Sequence, residues 1–359
     1  MYFTQNLRSL LGILLFALAT PGSLQAAVVL QYHHISDTTP ASTSTSPERF
    51  GMHLAYLEKH DFDVVPLEQL VQILRSGQPL PDRSVAITFD DGYSSIYDTA
   101  YPMLKSRGWP FTVFVNSEPH DRRQPSFMSW EQLREMRRNG GTIANHTVSH
   151  PYLLAREEGL DEAAWREWVA DEIATAQARI EAETGSTVKL LAYPFGEYNE
   201  AVLEVAQNLG FVGFGQQSGP LAEHSDLRVL PRFPFGGSYG DESDFATKVN
   251  SLPMPLAAGP DAISLESEDG EALPDMVFNE SGVRPILGLK FTEDFDTARV
   301  NCFVSGQGRT QPRSDGTRVY VRAEKGLGQG RSRYNCTAPS GQAGRFFWYS
   351  QLWIVHPAH

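Results

Sequence analysis

The sequence predicts an α/β protein, a closed or nearly closed (β/α) barrel of about seven units followed by a small all-β unit. Three observations predict it. Short apolar, β-branched runs alternate with amphipathic helical stretches from Ala27 to about Asn250. Beyond that point only short runs separated by turn residues remain. The 359 residues are 41% hydrophobic and 20% charged, which is enough for one large domain and a small one. The formal net charge of −13 argues against a nucleic-acid partner, which needs a basic face.

Residues 1–26 read as a secretory signal: Arg8 flanks a short apolar core from Leu10 to Thr20, and Ser23, Ala26 and Ala27 follow. The run is short for a membrane span, so cleavage near Ala26 without stable insertion is expected, with an uncleaved anchor as the alternative. The mature chain is expected to be periplasmic or secreted. The barrel is assigned to 27–250. Its first strand ends in His33 and His34. A helix follows over Pro47–His60, a short strand at Val64-Val65, and a helix over Leu67–Arg75 stopped by Gly77. The strand Val85–Phe89 comes next, then a helix over Ser95–Lys105 and a strand over Phe111–Asn116. Ser129 caps a helix ended by Gly140-Gly141, and Thr142–Asn145 is a strand. Asp161–Glu183 is a long helix with an apolar stripe of Trp165, Val169, Ile173, Ala176 and Ile180, read as core packing. Strands at Lys189–Tyr193, Phe211–Phe214 and Val229–Phe235 complete the set.

The Pro- and Gly-bearing stretch 251–282 reads as a linker. Residues 283–359 read as a β-sandwich. Cys302 and Cys336 form one disulfide if the chain is exported and remain two buried thiols otherwise. Phe346, Phe347, Trp348, Tyr349 and Trp353 supply either a sugar-stacking surface or, by strand alternation, core.

The chemistry concentrates at strand ends. Val85–Phe89 runs into Asp90-Asp91-Gly92. Adjacent carboxylates there are costly unless a cation or a proton transfer uses them, although Asp-Asp-Gly is also ordinary turn chemistry. His146-Thr147-Val148-Ser149-His150 places two imidazoles four apart, on one face if the segment makes a helical turn. Two imidazoles and one aspartate make a three-ligand set for a divalent metal with positions left open. The second aspartate then stays free to take a proton from the attacking water.

Thr88-Phe89-Asp90-Asp91-Gly92 and His146-Thr147-Val148-Ser149-His150 resemble the first two motifs of the polysaccharide deacetylases, carbohydrate esterase family four with its NodB-homology domain. The resemblance covers about residues 27–250. It implies a distorted (β/α) barrel and metal-dependent removal of acetyl groups from a glycan. By position it makes Asp90 the catalytic base and Asp91, His146 and His150 the metal ligands. It implies zinc, with cobalt or another divalent ion as alternatives. The third motif departs from the family: Ala192-Tyr193-Pro194-Phe195-Gly196 has alanine where an arginine usually holds the base. Phe195, through its backbone N–H, and Tyr193 remain candidates for the oxyanion and substrate side. Arg232 is the candidate replacement for the arginine, against the plain reading of a surface residue. For the general acid, Gln31-Tyr32-His33-His34 resembles the opening of the poly-β-1,6-N-acetylglucosamine deacetylase branch, whose motifs are circularly permuted, and favours His33. His224, in Leu221-Ala222-Glu223-His224, is the alternative. His34 is expected to point away.

The expected activity is N-deacetylation of an N-acetylglucosamine-containing polysaccharide. An O-acetyl esterase of the xylan type, or a glycan-binding barrel that lost activity with the motif arginine, remain the alternatives. The sequence leaves the oligomeric state open.

Overall fold

The computed structural model describes residues 25–156 and 159–356. The expected signal core and its basic flank lie outside them. Seven parallel strands form one curled sheet: β1 Ala27–Tyr32, β2 Ser84–Phe89, β3 Phe111–Val115, β4 Gly141–Asn145, β5 Leu190–Ala192, β6 Val212–Phe214 and β7 Phe233–Pro234. Their spatial order is β7-β1-β2-β3-β4-β5-β6, so neighbours in sequence are neighbours in the sheet. Asp63–Val64 adds a short parallel pairing to β2. The curl is drawn together by the segment leading into β7. Leu230 bridges Phe214 of β6, and Phe233 pairs with Leu30 of β1. This is the distorted (β/α) barrel, with its last strand reduced to two residues instead of the seven expected over Val229–Phe235.

The helices behave as their patterns require. Pro47–Lys59 is capped by the Ser46 side chain, which accepts from Arg49 N. Trp130–Arg138 starts with a capping box between Ser129 and Gln132. Glu162–Thr184 is capped by Asp161, buries the stripe Trp165, Val169, Ile173, Ala176 and Ile180, and stops at left-handed Gly185. The expected helix over Ser95–Lys105 divides into a π-helical turn at Ile96–Ala100, where Tyr101 N bonds back to Ile96 O, and an α-turn at Tyr101–Lys105. Pro102 has no N–H to continue an i→i−4 ladder there, which favours the wider turn.

Side chains alternate across β1 and β2. Val28, Leu30, Tyr32, Val85, Ile87 and Phe89 pack outward against the helices. Ala27, Val29 and Ala86 face inward with Phe114, Ala144, Ala192 and Phe214. Gln31 and Thr88 are directly paired in register on that inner face. At the carboxyl ends of these strands the inner wall therefore carries Gln31, Thr88 and then the next inward position, Asp90.

The C-terminal region is rich in strands. A sheet of Ile263–Glu266, Ile286–Lys290, Arg313–Asp315 and Arg318–Arg322 shares one core with a second sheet containing Asn301–Val304, Gly330–Pro339 and Phe346–Val355. Cys302 and Cys336 are paired in register across that second sheet and joined as a disulfide. The stretch 251–282 is not a spacer. Leu252–Pro253 pairs with Phe347–Trp348, Ile263–Glu266 pairs with Ile286–Leu289, and Val277–Phe278 pairs with Ile354–Val355. Its prolines and glycines mark turns between short strands, while Leu252 and Met254 anchor it in the core. Phe347 and Trp353 are buried and Trp348 meets Phe233 of the barrel edge-on, so most of the C-terminal aromatics are packing residues.

Candidate active site

The site stands at the carboxyl ends of the strands, where this architecture places its functional loops. Asp90 and Asp91 follow β2, His33 follows β1, His146 follows β4, and Phe195 follows β5. Asp90 N bonds to Tyr32 O and extends the β1–β2 ladder by one residue. The chain then turns through left-handed Asp91 (φ 70°) and Gly92 (φ 79°), which swings the second carboxylate away from the first. Gly92 is required on a second count: a Cβ there would lie 2.7 Å from the His120 ring.

Residues 146–150 do not form the expected helical turn. Thr147 and His150 both have positive φ, and the loop is held from outside. Ser117 N and Glu118 N bond to the carbonyls of Thr147 and Val148. Glu172 accepts from the N–H groups of Val148 and Ser149. The imidazoles converge nonetheless. His146 Nε2 is 3.3 Å and His150 Nε2 is 3.5 Å from Asp91 Oδ1. One donor atom from each of the three residues lies within 4.8 Å of the others.

The donor set suits a divalent ion. His146 is wholly buried, and its Nδ1 donates to Ala192 O at 2.7 Å. That bond fixes the tautomer and leaves the Nε2 lone pair facing the cluster. This buried Nε2 has no hydrogen-bond partner despite its closeness to Asp91. An orphaned acceptor beside a carboxylate and a second imidazole is what a cation with nitrogen and oxygen ligands would satisfy. Burial pulls the His146 pKa down, but the Asp91 and Asp90 carboxylates outweigh it and the net shift is upward. His150 falls to about 4, through burial and then the His146 charge. Asp91 is lowered: burial opposes ionisation, and the imidazoles overcome it.

Asp90 and Arg232 form a buried fork. Both side chains are fully inaccessible. Arg232 Nη1 donates to Oδ1 at 2.7 Å and Nη2 to Oδ2 at 2.8 Å. Its Nε donates to Gly215 O at 2.9 Å, and its guanidinium carbon stands 5.3 Å from the Phe114 ring centroid. The arginine is therefore fixed at both ends of its planar group. Gln31 Nε2 also donates to Asp90 Oδ2, at 2.6 Å. Burial raises the Asp90 pKa, and Arg232 followed by His146 more than reverses this, so it lies below the ordinary carboxylate range.

His33 is half-buried and near enough for its charge to act on Asp90, Asp91 and His150. His224 is exposed, in a cleft with Pro253 and Ala258, and does not join the cluster. Phe195 is left-handed (φ 59°), with its ring edge-on to His150 at 4.5 Å. Tyr193 corrects the expectation. It is fully buried and donates its hydroxyl to Arg228 O at 2.8 Å, filling the space beside Gly213. His34 is buried, with its ring stacked on Tyr93 at 3.7 Å. Gln31 was missed because a strand buried on both faces gives no alternation of polar and apolar residues. The one available signal was an amide in an otherwise apolar strand.

A profile of the polysaccharide deacetylase family matches residues 77–214. The chain carries a polysaccharide deacetylase domain. Gln31, His33 and Arg232 lie outside the matched span, and the barrel brings them back to it. The poly-beta-1,6-N-acetyl-D-glucosamine N-deacetylase of Escherichia coli (strain K12) is 25% identical over 246 residues, 57% of this chain and 36% of that protein. The enzyme of the same name from Staphylococcus aureus (strain MRSA252) is 25% identical over 194 residues, 53% of this chain and 67% of that protein. The structure of IcaB from Ammonifex degensii superposes with a TM-score of 0.52 at 26% identity, covering 59% of this chain and 92% of that one. This chain thus spans about a third of the Escherichia coli enzyme's length. No helix among the described residues is long and apolar enough to cross a membrane.

Proposed function

We propose that the protein is an exported, metal-dependent polysaccharide N-deacetylase acting on N-acetylglucosamine units, with a poly-β-1,6-linked chain as the preferred class. The single observation carrying this reading is the convergence of Asp91, His146 and His150 beside the buried Asp90–Arg232 fork. The relatives named for that glycan, and the histidine at the end of β1, support the choice of polymer.

In this reading Asp91 Oδ1, His146 Nε2 and His150 Nε2 hold the ion, with zinc the ion that best suits one oxygen and two nitrogen donors. When bound, the ion polarises the acetyl carbonyl and lowers the pKa of water. Asp90 takes the proton of the water that attacks the acetyl carbon. Its two oxygens offer about four acceptor sites, of which Arg232 uses two and Gln31 one. The site left is on Oδ1, so Oδ1 is the atom that receives the proton. Arg232 is a positioning residue here: it keeps Asp90 ionised in a buried place and fixes its plane. The Phe195 N–H donates to the developing oxyanion. His33 gives its proton to the amide nitrogen as the C–N bond breaks, releasing acetate and the free amine.

An inactive barrel was motivated by the alanine at position 192. The Arg232 guanidinium on Asp90 weighs against it and supports an active site. The test is acetate release from β-1,6-linked N-acetylglucosamine oligomers by the mature chain, with acetylated xylan as comparison. Release from the amino sugar supports the reading. Release from xylan alone transfers the activity to ester hydrolysis.

A further inference from the structure

An open cleft of about 1040 Å³ lies beside the site, between the barrel and the all-β unit. Small-molecule sites usually span about 300–1,000 Å³, so this space exceeds what one sugar requires. It connects to the metal-ligand cluster through a line of rings. His150 meets Phe195 edge-on at 4.5 Å, Phe195 stacks on Tyr152 at 4.1 Å, and Tyr152 lines the cleft with 54% of its surface exposed. An exposed aromatic face is what the apolar face of a pyranose stacks on.

The opposite wall comes from the all-β unit and from the stretch 251–282. Asn279, Gln329 and Arg331 line it, facing Glu197 and Asn199 of the barrel. The wall is fixed to the barrel rather than merely near it. Arg331 donates to Phe195 O and lies 3.5 Å from Glu197 Oε1. Planar amides and charged groups on both sides of an aromatic platform match the hydroxyl and acetamido groups of an amino-sugar chain.

We propose that this cleft binds the sugar units next to the one being deacetylated, so that the all-β unit is part of the substrate surface. The proposal rests on the function proposed above. It makes the enzyme length-dependent: a pentamer reaches the cleft and a dimer does not fill it. Asn279 and Gln329 are exposed and suit substitution without loss of the fold.

The test uses the full mature chain loaded with zinc, and β-1,6-linked N-acetylglucosamine dimer and pentamer. The readout is the ratio of kcat/KM for pentamer over dimer. For the wild type this ratio is expected to exceed about tenfold, and N279A/Q329A lowers it by about tenfold, as loss of two ordinary hydrogen bonds would. A wild-type ratio near one, or an unchanged ratio in the variant, overturns the proposal while leaving the deacetylase reading intact. If no oligomer releases acetate, the deacetylase reading fails, and calorimetry decides the cleft separately. Pentamer is titrated into the full chain carrying D90N, with and without N279A/Q329A. Affinity weakened by the double substitution supports the cleft. Equal affinity, or no binding, overturns it.

Discussion

Replacing Arg232 by methionine removes a guanidinium of which no atom reaches solvent, and leaves the Asp90 carboxylate equally buried. Asp90 loses bonds of 2.7 and 2.8 Å and keeps one donor, Gln31. Breaking a buried pair from one side costs about 3–5 kcal/mol, because the remaining charge is stranded. The cost depends on pH. In the wild type the Asp90 pKa lies below its unfolded value, so this group stabilises the fold above the unfolded carboxylate pKa and loses that contribution as pH falls through the folded one. Without Arg232 the largest lowering influence is gone and burial pushes the pKa up. The R232M penalty should therefore be greatest at pH 7.5 and shrink by pH 4.5, where a neutral carboxyl is tolerated. The acidic limb of kcat/KM should move to higher pH, with activity at pH 7 reduced about 100-fold, the upper end for a residue that positions another. R232K keeps charge but loses the fork and should fall between the two. Urea unfolding of wild type, R232M and R232M/D90N at both pH values, with acetate release from pH 5 to 9, provides the assay. The double variant should be more stable than R232M, since asparagine carries no stranded charge. An R232M protein within about 0.5 kcal/mol of wild type, the ordinary range for a surface change, with an unmoved acidic limb, would refute the reasoning.

Other outcomes are expected from other parts of the molecule. H146N should lower zinc affinity at least tenfold by equilibrium dialysis, because it removes a buried nitrogen donor whose tautomer Ala192 O sets. C302A/C336A opens a cross-link of sequence separation 34 and should destabilise the all-β unit by about 3–4 kcal/mol in denaturant. His53 is buried, accepts from Tyr32 at 2.9 Å and donates to Gly240 O at 2.7 Å, and burial lowers its pKa to about 4. Between pH 6.5 and 4 the unfolded chain binds a proton there and the native chain does not, so stability is lost as pH falls through this window, by up to about 3 kcal/mol. H53Q should flatten that slope in urea midpoints measured across the window, and an unchanged slope counts against the assignment.

The parts legible in the sequence share one property: their signal is local. Asp90-Asp91 and His146 sit directly after strands that the pattern of apolar residues announces, and His150 follows in the same loop as His146. The helix ends at Ser129, Asp161 and Gly185 are likewise written in single residues. Arg232 was legible as a candidate only, because its grip on Asp90 spans 142 positions and depends on the sheet closing back on β1. The 146–150 loop misled because four-residue spacing fits a helical turn, while the left-handed Thr147 and His150 depend on bonds from Ser117, Glu118 and Glu172. Tyr193 misled because the residue next to Ala192 alternates to the outward face, where it packs with Leu191, Tyr198 and Val202 and closes against Gly213. Two of the strands within 251–282, Leu252–Pro253 and Val277–Phe278, were hidden because two-residue pairings have no periodicity to read.

The most direct test of the account is acetate release from β-1,6-linked N-acetylglucosamine pentamer by the wild-type chain after chelation and after zinc is returned, with D90N carried through the same cycle. The account predicts that chelation abolishes the wild-type activity, that zinc restores it, and that D90N stays inactive in both states. Undiminished release from the chelated wild type, or from D90N, would contradict it.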